Sequence, residues 1–151
     1  MRHCFFIALL CLGLSSLLVP ALAADSKDES PDPRAQALLT RFVQVLQTQD
    51  EGQRIQACLP HLHSSLLTAD GKDLTPDVKN FQFQKASKNA KWYELPVKIT
   101  RVRPRDSSDY SGREYNYFIA RKEDGAGPPA PVTIFFPDNG GEPKILYMGS
   151  L

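Results

Sequence analysis

The hydrophobic rhythm of the chain changes near Trp92. Before it, from Pro33 onward, apolar residues recur at spacings of three and four, the repeat of a helix with one buried face. After it they come in short runs and alternations bounded by glycine and proline, which is the habit of strands. Ala35, Leu38, Leu39, Phe42, Val45 and Leu46 line up on one face and predict a helix opening at Pro31-Asp32-Pro33. Asp32 suits the cap, where a side-chain oxygen takes a free backbone N–H, and Pro33 suits the first helical position, which needs no N–H partner. A second helix is expected from Asp50, with Ile55, Cys58, Leu59 and Leu62 on one side. Pro60 should kink or stop it, because proline removes a hydrogen bond and crowds the preceding turn. Asp70-Gly71 marks a turn. Thr75-Pro76-Asp77 repeats the cap-then-proline pattern and predicts a third helix toward Ala90, although Phe81 and Phe83 alternate as strand residues do.

Four strands are expected in the second half: Leu95–Val102, Glu114–Lys122, Ala130–Phe136 and Lys144–Met148. The breakers between them span 105–112, 123–129 and 137–143, too short for parallel crossovers, so neighbouring strands should run antiparallel. Helices first and consecutive strands afterwards give an α+β domain, N-terminal helices packed on one face of a curved antiparallel sheet of about four or more strands. Phe118 and Ile119 point opposite ways in one strand, as do Leu146 and Tyr147 in the last. The second face therefore needs a cover, from a partner subunit, the sheet's own curl or a ligand.

Upstream of the helical half the pattern is of another kind. Met1-Arg2-His3 is a short basic start, and Phe5–Val19 is a charge-free apolar run of 15 residues. Pro20 breaks the run and Ala21-Leu22-Ala23 supplies small residues where a signal peptidase reads, so residues 1–23 read as a signal peptide cut before Ala24. The run is shorter than the roughly 20 residues a membrane-spanning helix needs, which argues against a retained anchor. Lipid attachment at Cys11 is rejected, because Leu9-Leu10 precede it where a small residue is required. Residues 24–32 are polar and read as a flexible leader, and 33–151 as a single domain.

Export changes how charge and cysteine are read. Removing 23 of 151 residues leaves 128, enough for one core and not for two. Arg2 leaves with the signal, so 17 Lys and Arg balance 17 Asp and Glu, and the near-zero charge argues against a nucleic-acid partner. Cys4 and Cys11 leave too, so Cys58 has no internal disulfide partner and the fold must stand on its hydrophobic core.

Element order and a final strand running into KILYMGSL resemble the nuclear-transport-factor-2-like superfamily, the cystatin-like cone. The resemblance covers Pro33 to Leu151 and implies a pocket between helices and a concave sheet, with homodimers through the convex face. The superfamily holds isomerases, hydratases, transport factors and small exported domains, so it implies no single activity.

Within such a cone the candidate ligand-binding residues are Arg101, Tyr115 and Tyr117. By alternation Arg101 shares a side with Leu95, Val97 and Ile99, and the two tyrosines share one with Ile119 and Arg121. An arginine and two phenols could hold an anionic or aromatic ligand. The plainer reading is a strand end, where Arg101 has left the core and the tyrosines bridge core and solvent. Cys58, His61 and His63 are zinc-type ligands, but on a helix His63 leaves the face that Cys58 and His61 share. They read as a core cysteine and surface histidines, and no metal or cofactor is expected. Cys58 sits in an apolar stripe, unlike the open, electropositive setting of a reactive thiol. Lys98, Arg101, Arg103 and Arg105 form a basic stretch offset by Asp106, Asp109 and Glu114, which suits a charged edge strand. Glu94 and Glu114 are the nearest candidates for a catalytic carboxylate, neither with a visible partner. Serine-hydrolase, phosphate-loop and dinucleotide signatures are absent.

The reading is an exported, non-enzymatic domain of the periplasm or extracellular space that binds a small molecule or protein partner. The alternative is a small cone-fold isomerase or hydrolase. The exported protein should have an intact mass that begins at Ala24; a mass retaining residues 1–23 would overturn the signal reading.

Overall fold

A computed structural model describes residues 28–47, 50–106, 110–122, 127, 129–149 and 151. The expected signal segment lies outside the described residues. Among those described, no helix is long and apolar enough to cross a membrane.

Helix α1 (Pro33–Leu46) opens as its sequence dictates: the Asp32 carboxylate accepts from the Arg34 backbone N–H at 2.8 Å, with proline in the first turn. Its buried stripe is Ala35, Leu38, Leu39, Phe42, Val43 and Leu46, with Val43 where the sequence periodicity predicts Val45, which is only partly buried. The far end is tied down by Gln47, whose Nε2 donates to the carbonyls of Ala90 and Tyr93 at 3.1 Å each. Helix α2 (Glu51–Cys58) is capped by Asp50 and gives way to a tighter 3₁₀ turn at Leu59–His61, the break expected of Pro60.

The third helical stretch explains the Phe81/Phe83 ambiguity. Val78–Phe83 is π-helical and runs on into α3 (Gln84–Asn89). A π turn bonds at a spacing of five, so Val78 and Phe83 share the buried face while Phe81 is 71% exposed. The two phenylalanines alternate in burial because of helix geometry, not strand geometry.

The sheet is an open antiparallel meander in the order β1 (Ile99–Arg105), β2 (Gly112–Ile119), β3 (Ala130–Pro137) and β4 (Lys144–Tyr147). β1 starts four residues later than its sequence predicts. The Val97 amide bonds to Thr40 Oγ1 at 3.3 Å and its carbonyl accepts from Gln36 Nε2 at 3.4 Å, so Val97 is tied to α1 before the chain enters the sheet. The inner face carries Val102, Tyr117, Val132, Ile134, Phe136 and Ile145, which join the α1 stripe in one buried cluster.

Both sheet edges are partly capped. The Glu29 N–H donates to the Val102 carbonyl at 3.2 Å, and Asp28 pairs with Arg103 at 3.5 Å, so residues 28 and 29 of the expected leader lie along β1. On the other side the His63 N–H donates to the Ile145 carbonyl at 2.9 Å beside a parallel bridge at Leu62. Such caps blunt the tendency of free edges to pair with other chains.

The outer face mixes polar groups with the rings of Phe118 and Phe135, and several of its polar side chains contact one another. Arg101 lies over the Phe118 ring at 4.0 Å, and Thr133 Oγ1 donates to Asn116 Oδ1 at 2.9 Å while accepting from Arg105 at 3.3 Å. Glu114, 6% exposed, stands 3.7 Å from Arg105. The cover expected for this face is therefore supplied in part by the chain itself.

Gly149 has φ +62, and a Cβ there would land on the Pro131 carbonyl oxygen. Gly149→Ala should cost more than ~1 kcal/mol, through both the left-handed backbone and the clash. A denaturant midpoint unchanged from the parent would contradict it.

Candidate functional site

The three sequence-predicted site residues do not come together. Alternation from Ile99 places Arg101 beside Tyr115 and Tyr117, but β1 carries a bulge at Thr100. Ile99 opposes Ile119, whereas Arg101 opposes Phe118 and Val102 opposes Tyr117. One inserted residue sends every later side chain of the strand to the other face. Arg101 therefore lies on the outer face, stacked on Phe118, and the tyrosines lie on the inner face. Its Nε is buried and has no hydrogen-bond partner, so the ring stack is its main contact.

Tyr115 and Tyr117 do share a cleft. It is bounded by the entry segment Glu29, Ser30, Asp32 and Pro33 on one side and by Arg113, Tyr115, Tyr117 and Phe136 on the other, and it holds about 270 Å³. Each wall follows from local structure. The cap at Asp32 and the edge contact at Glu29 hold the entry segment across the inner face of β2. Alternation along β2 then brings Arg113, Tyr115 and Tyr117 to that same face. Phe136, opposite Arg113 on β3, closes the floor. Its ring meets Tyr115 edge-on at 5.7 Å and Tyr117 at 6.5 Å, while the Arg34 guanidinium lies 5.6 Å above it.

Electrostatics fix the protonation of two groups there. Burial pushes the Tyr117 phenol up to about 12; the Asp32 backbone N–H opposes this, and the Asp32 carboxylate adds a smaller upward push. The side-chain hydrogen bond from Arg34 holds the Asp32 carboxyl below its ordinary value, against a smaller desolvation effect. At neutral pH the cleft thus holds a protonated buried phenol and an ionised carboxylate already engaged by Arg34.

The other candidates scatter. Cys58 is fully buried, and desolvation raises its thiol to about 12, as its apolar stripe predicts. His63, expected at the surface, is 9% exposed. Its Nδ1 accepts from the Ser65 N–H at 3.3 Å and sits 2.9 Å from Ser65 Oγ, capping a 3₁₀ turn, while its ring packs on Tyr110 at 4.4 Å and Phe135 at 5.0 Å. Among the described residues no three His, Cys, Asp or Glu side chains form a metal cluster. Glu94 is exposed and Glu114 lies on the outer face, so neither reaches the tyrosines. Sequence reasoning missed Arg113, Asp32 and Phe136 as parts of the cleft. Arg113 was recoverable, since it stands two residues before Tyr115 on the same strand face; the others come from distant segments.

No protein-family model, curated protein or solved structure matches this chain.

Folded Tyr117 ionises near 12 and a free phenol near 10, so between those values the unfolded chain releases its proton first and the fold loses stability as pH rises. Tyr117→Phe should remove its share of that loss. Unfolding midpoints measured just below pH 10 and near pH 12 check this: an equal fall in parent and variant would refute it.

Proposed function

We propose that this chain is an exported binding module, of the periplasm or extracellular space, whose inner-face cleft takes a small ligand with a planar body and a hydrogen-bond acceptor. The observation that carries the reading is the pairing of a firmly protonated phenol at Tyr117 with a carboxylate at Asp32 tuned downward and already committed to Arg34. General acid–base chemistry near neutral pH wants a carboxyl tuned upward and free to move a proton. Fixed donors beside two aromatic rings suit recognition instead. The volume of about 270 Å³ lies just under the usual range of ligand pockets and suits a single ring with a head group. Arg113, exposed at the rim, would meet an anionic head, and Tyr115 and Phe136 would flank the ring.

The cone-like form is part of the same proposal. Register irregularities at Thr100 in β1 and between Thr133 and Ile134 opposite β4 support a curved sheet, because bulges bend the strands that carry them. A homodimer through the outer face draws less support, since a half-exposed ion pair between Arg105 and Glu114 and part-buried hydrogen bonds at Thr133 already occupy that face. The isomerase or hydrolase alternative would need a carboxyl tuned upward, and Asp32 is tuned the other way.

Native mass spectrometry of the protein from its own host, followed by ligand-observed NMR with benzoate, tests the reading. Benzoate should bind the parent, and Tyr115→Ala or Arg113→Gln should weaken it about tenfold with the fold intact. Binding that both variants leave unchanged, or none at all with no retained molecule, would sink it.

A further inference from the structure

A second concavity lies on the other side of the α1 entrance and is of different chemistry. It holds about 400 Å³ between α1 and the chain entering β4, and Arg34, Arg41, His61 and Lys144 line it with one carboxylate, Glu142. The cations are not equally available. Arg34 is paired with Asp32 at 3.0 Å and also feels Glu142. Arg41 and Lys144 form no ion pair among the described residues. Lys144 is instead anchored by donating its Nζ proton to the Pro60 carbonyl, at 2.6 Å. That bond uses one of three ammonium protons and leaves two for other acceptors. His61 comes from the 3₁₀ turn after α2, half-buried and within electrostatic reach of both cations, and its ring makes no hydrogen bond among the described residues.

Two unneutralised cations beside an unpartnered imidazole make a site short of negative charge. We infer that this groove binds a phosphate-type dianion, its oxygens on Arg41, Lys144 and His61. Leu38 and Pro143 give the groove a buried apolar wall, with Ala37 and Pro60 at its rim. The volume exceeds what a bare tetrahedral anion fills, so the groove fits a phosphate monoester of a small organic alcohol better than free phosphate.

Electrostatics give the site a proton linkage. In the empty groove burial lowers the His61 pKa, and the charges of Lys144 and Arg41 lower it further. The facing groups from every element are Arg34 and Arg41 on α1, Lys144 on β4 and Glu142 before it. A bound dianion reverses the local field, so His61 takes up a proton on binding, and affinity falls as pH rises through the bound-state pKa.

The test follows the His61 ring proton by NMR across pH, with sulfate as a dianion that does not titrate, against chloride at equal ionic strength. Sulfate should raise the His61 pKa, and Arg41→Gln should raise it without sulfate while weakening sulfate about tenfold. A His61 titration identical in sulfate and chloride overturns the proposal, as does Arg41→Gln leaving sulfate affinity unchanged. Phenyl phosphate binding more tightly than inorganic phosphate identifies a monoester as the ligand class; equal affinity identifies the free anion. Helicity and melting temperature of Arg41→Gln, exposed on α1, confirm that the fold is retained.

Discussion

The apolar stripe of α1 and the inner face of β2 and β3 bury each other, and no covalent link assists them. Cys58 is a free buried thiol, so the seam between Leu39, Phe42 and Val43 on one side and Tyr117, Val132 and Ile134 on the other must hold the domain by packing alone. Both concavities follow from this seam. Where α1 begins, its entry segment must cross the inner face of β2, and the cleft at Tyr115 and Tyr117 is the space left beneath it. Along the flank of the same helix, the chain entering β4 leaves the groove at Arg41 and His61.

The second constraint is the bulge at Thr100. It sorts the polar groups of the sheet by face, sending Arg101, Arg103 and Arg105 outward with Glu114, Asn116 and Thr133, and leaving the tyrosines inside. The outer face can then satisfy its charges locally, with Arg101 on Phe118 and Arg105 on Glu114 and Thr133. Among the described residues that line the inner-face cleft, the buried polar side chain is the Tyr117 phenol, and burial raises its pKa to about 12.

The two concavities share Arg34 without sharing its charge. Its guanidinium lies over Phe136 at the cleft, and it lines the groove on the other side, yet Asp32 neutralises it in both settings. The cleft keeps two phenols, a phenyl ring and Arg113 at its rim, and the groove keeps the cations Arg41 and Lys144, which form no ion pair among the described residues.

Much of the fold was legible in the sequence because it is set by local rules. Period and capping placed α1 and α2, Pro60 ended α2, and glycine and proline marked the loops that give the antiparallel meander. The burial of Cys58 followed from its stripe. Other features were decided only by tertiary structure. The start of β1 moved because Thr40 and Gln36, far away in sequence, claim the Val97 backbone. Arg101 changed face because a bulge is a property of two paired strands and leaves no mark in the periodicity of one. His63 was buried by Tyr110 and Phe135, and Arg41 met His61 and Lys144, because three segments with no pattern in common converge on α1. The sequence determined which elements form, since periodicity and capping act within a few residues; packing alone determined which side chains meet.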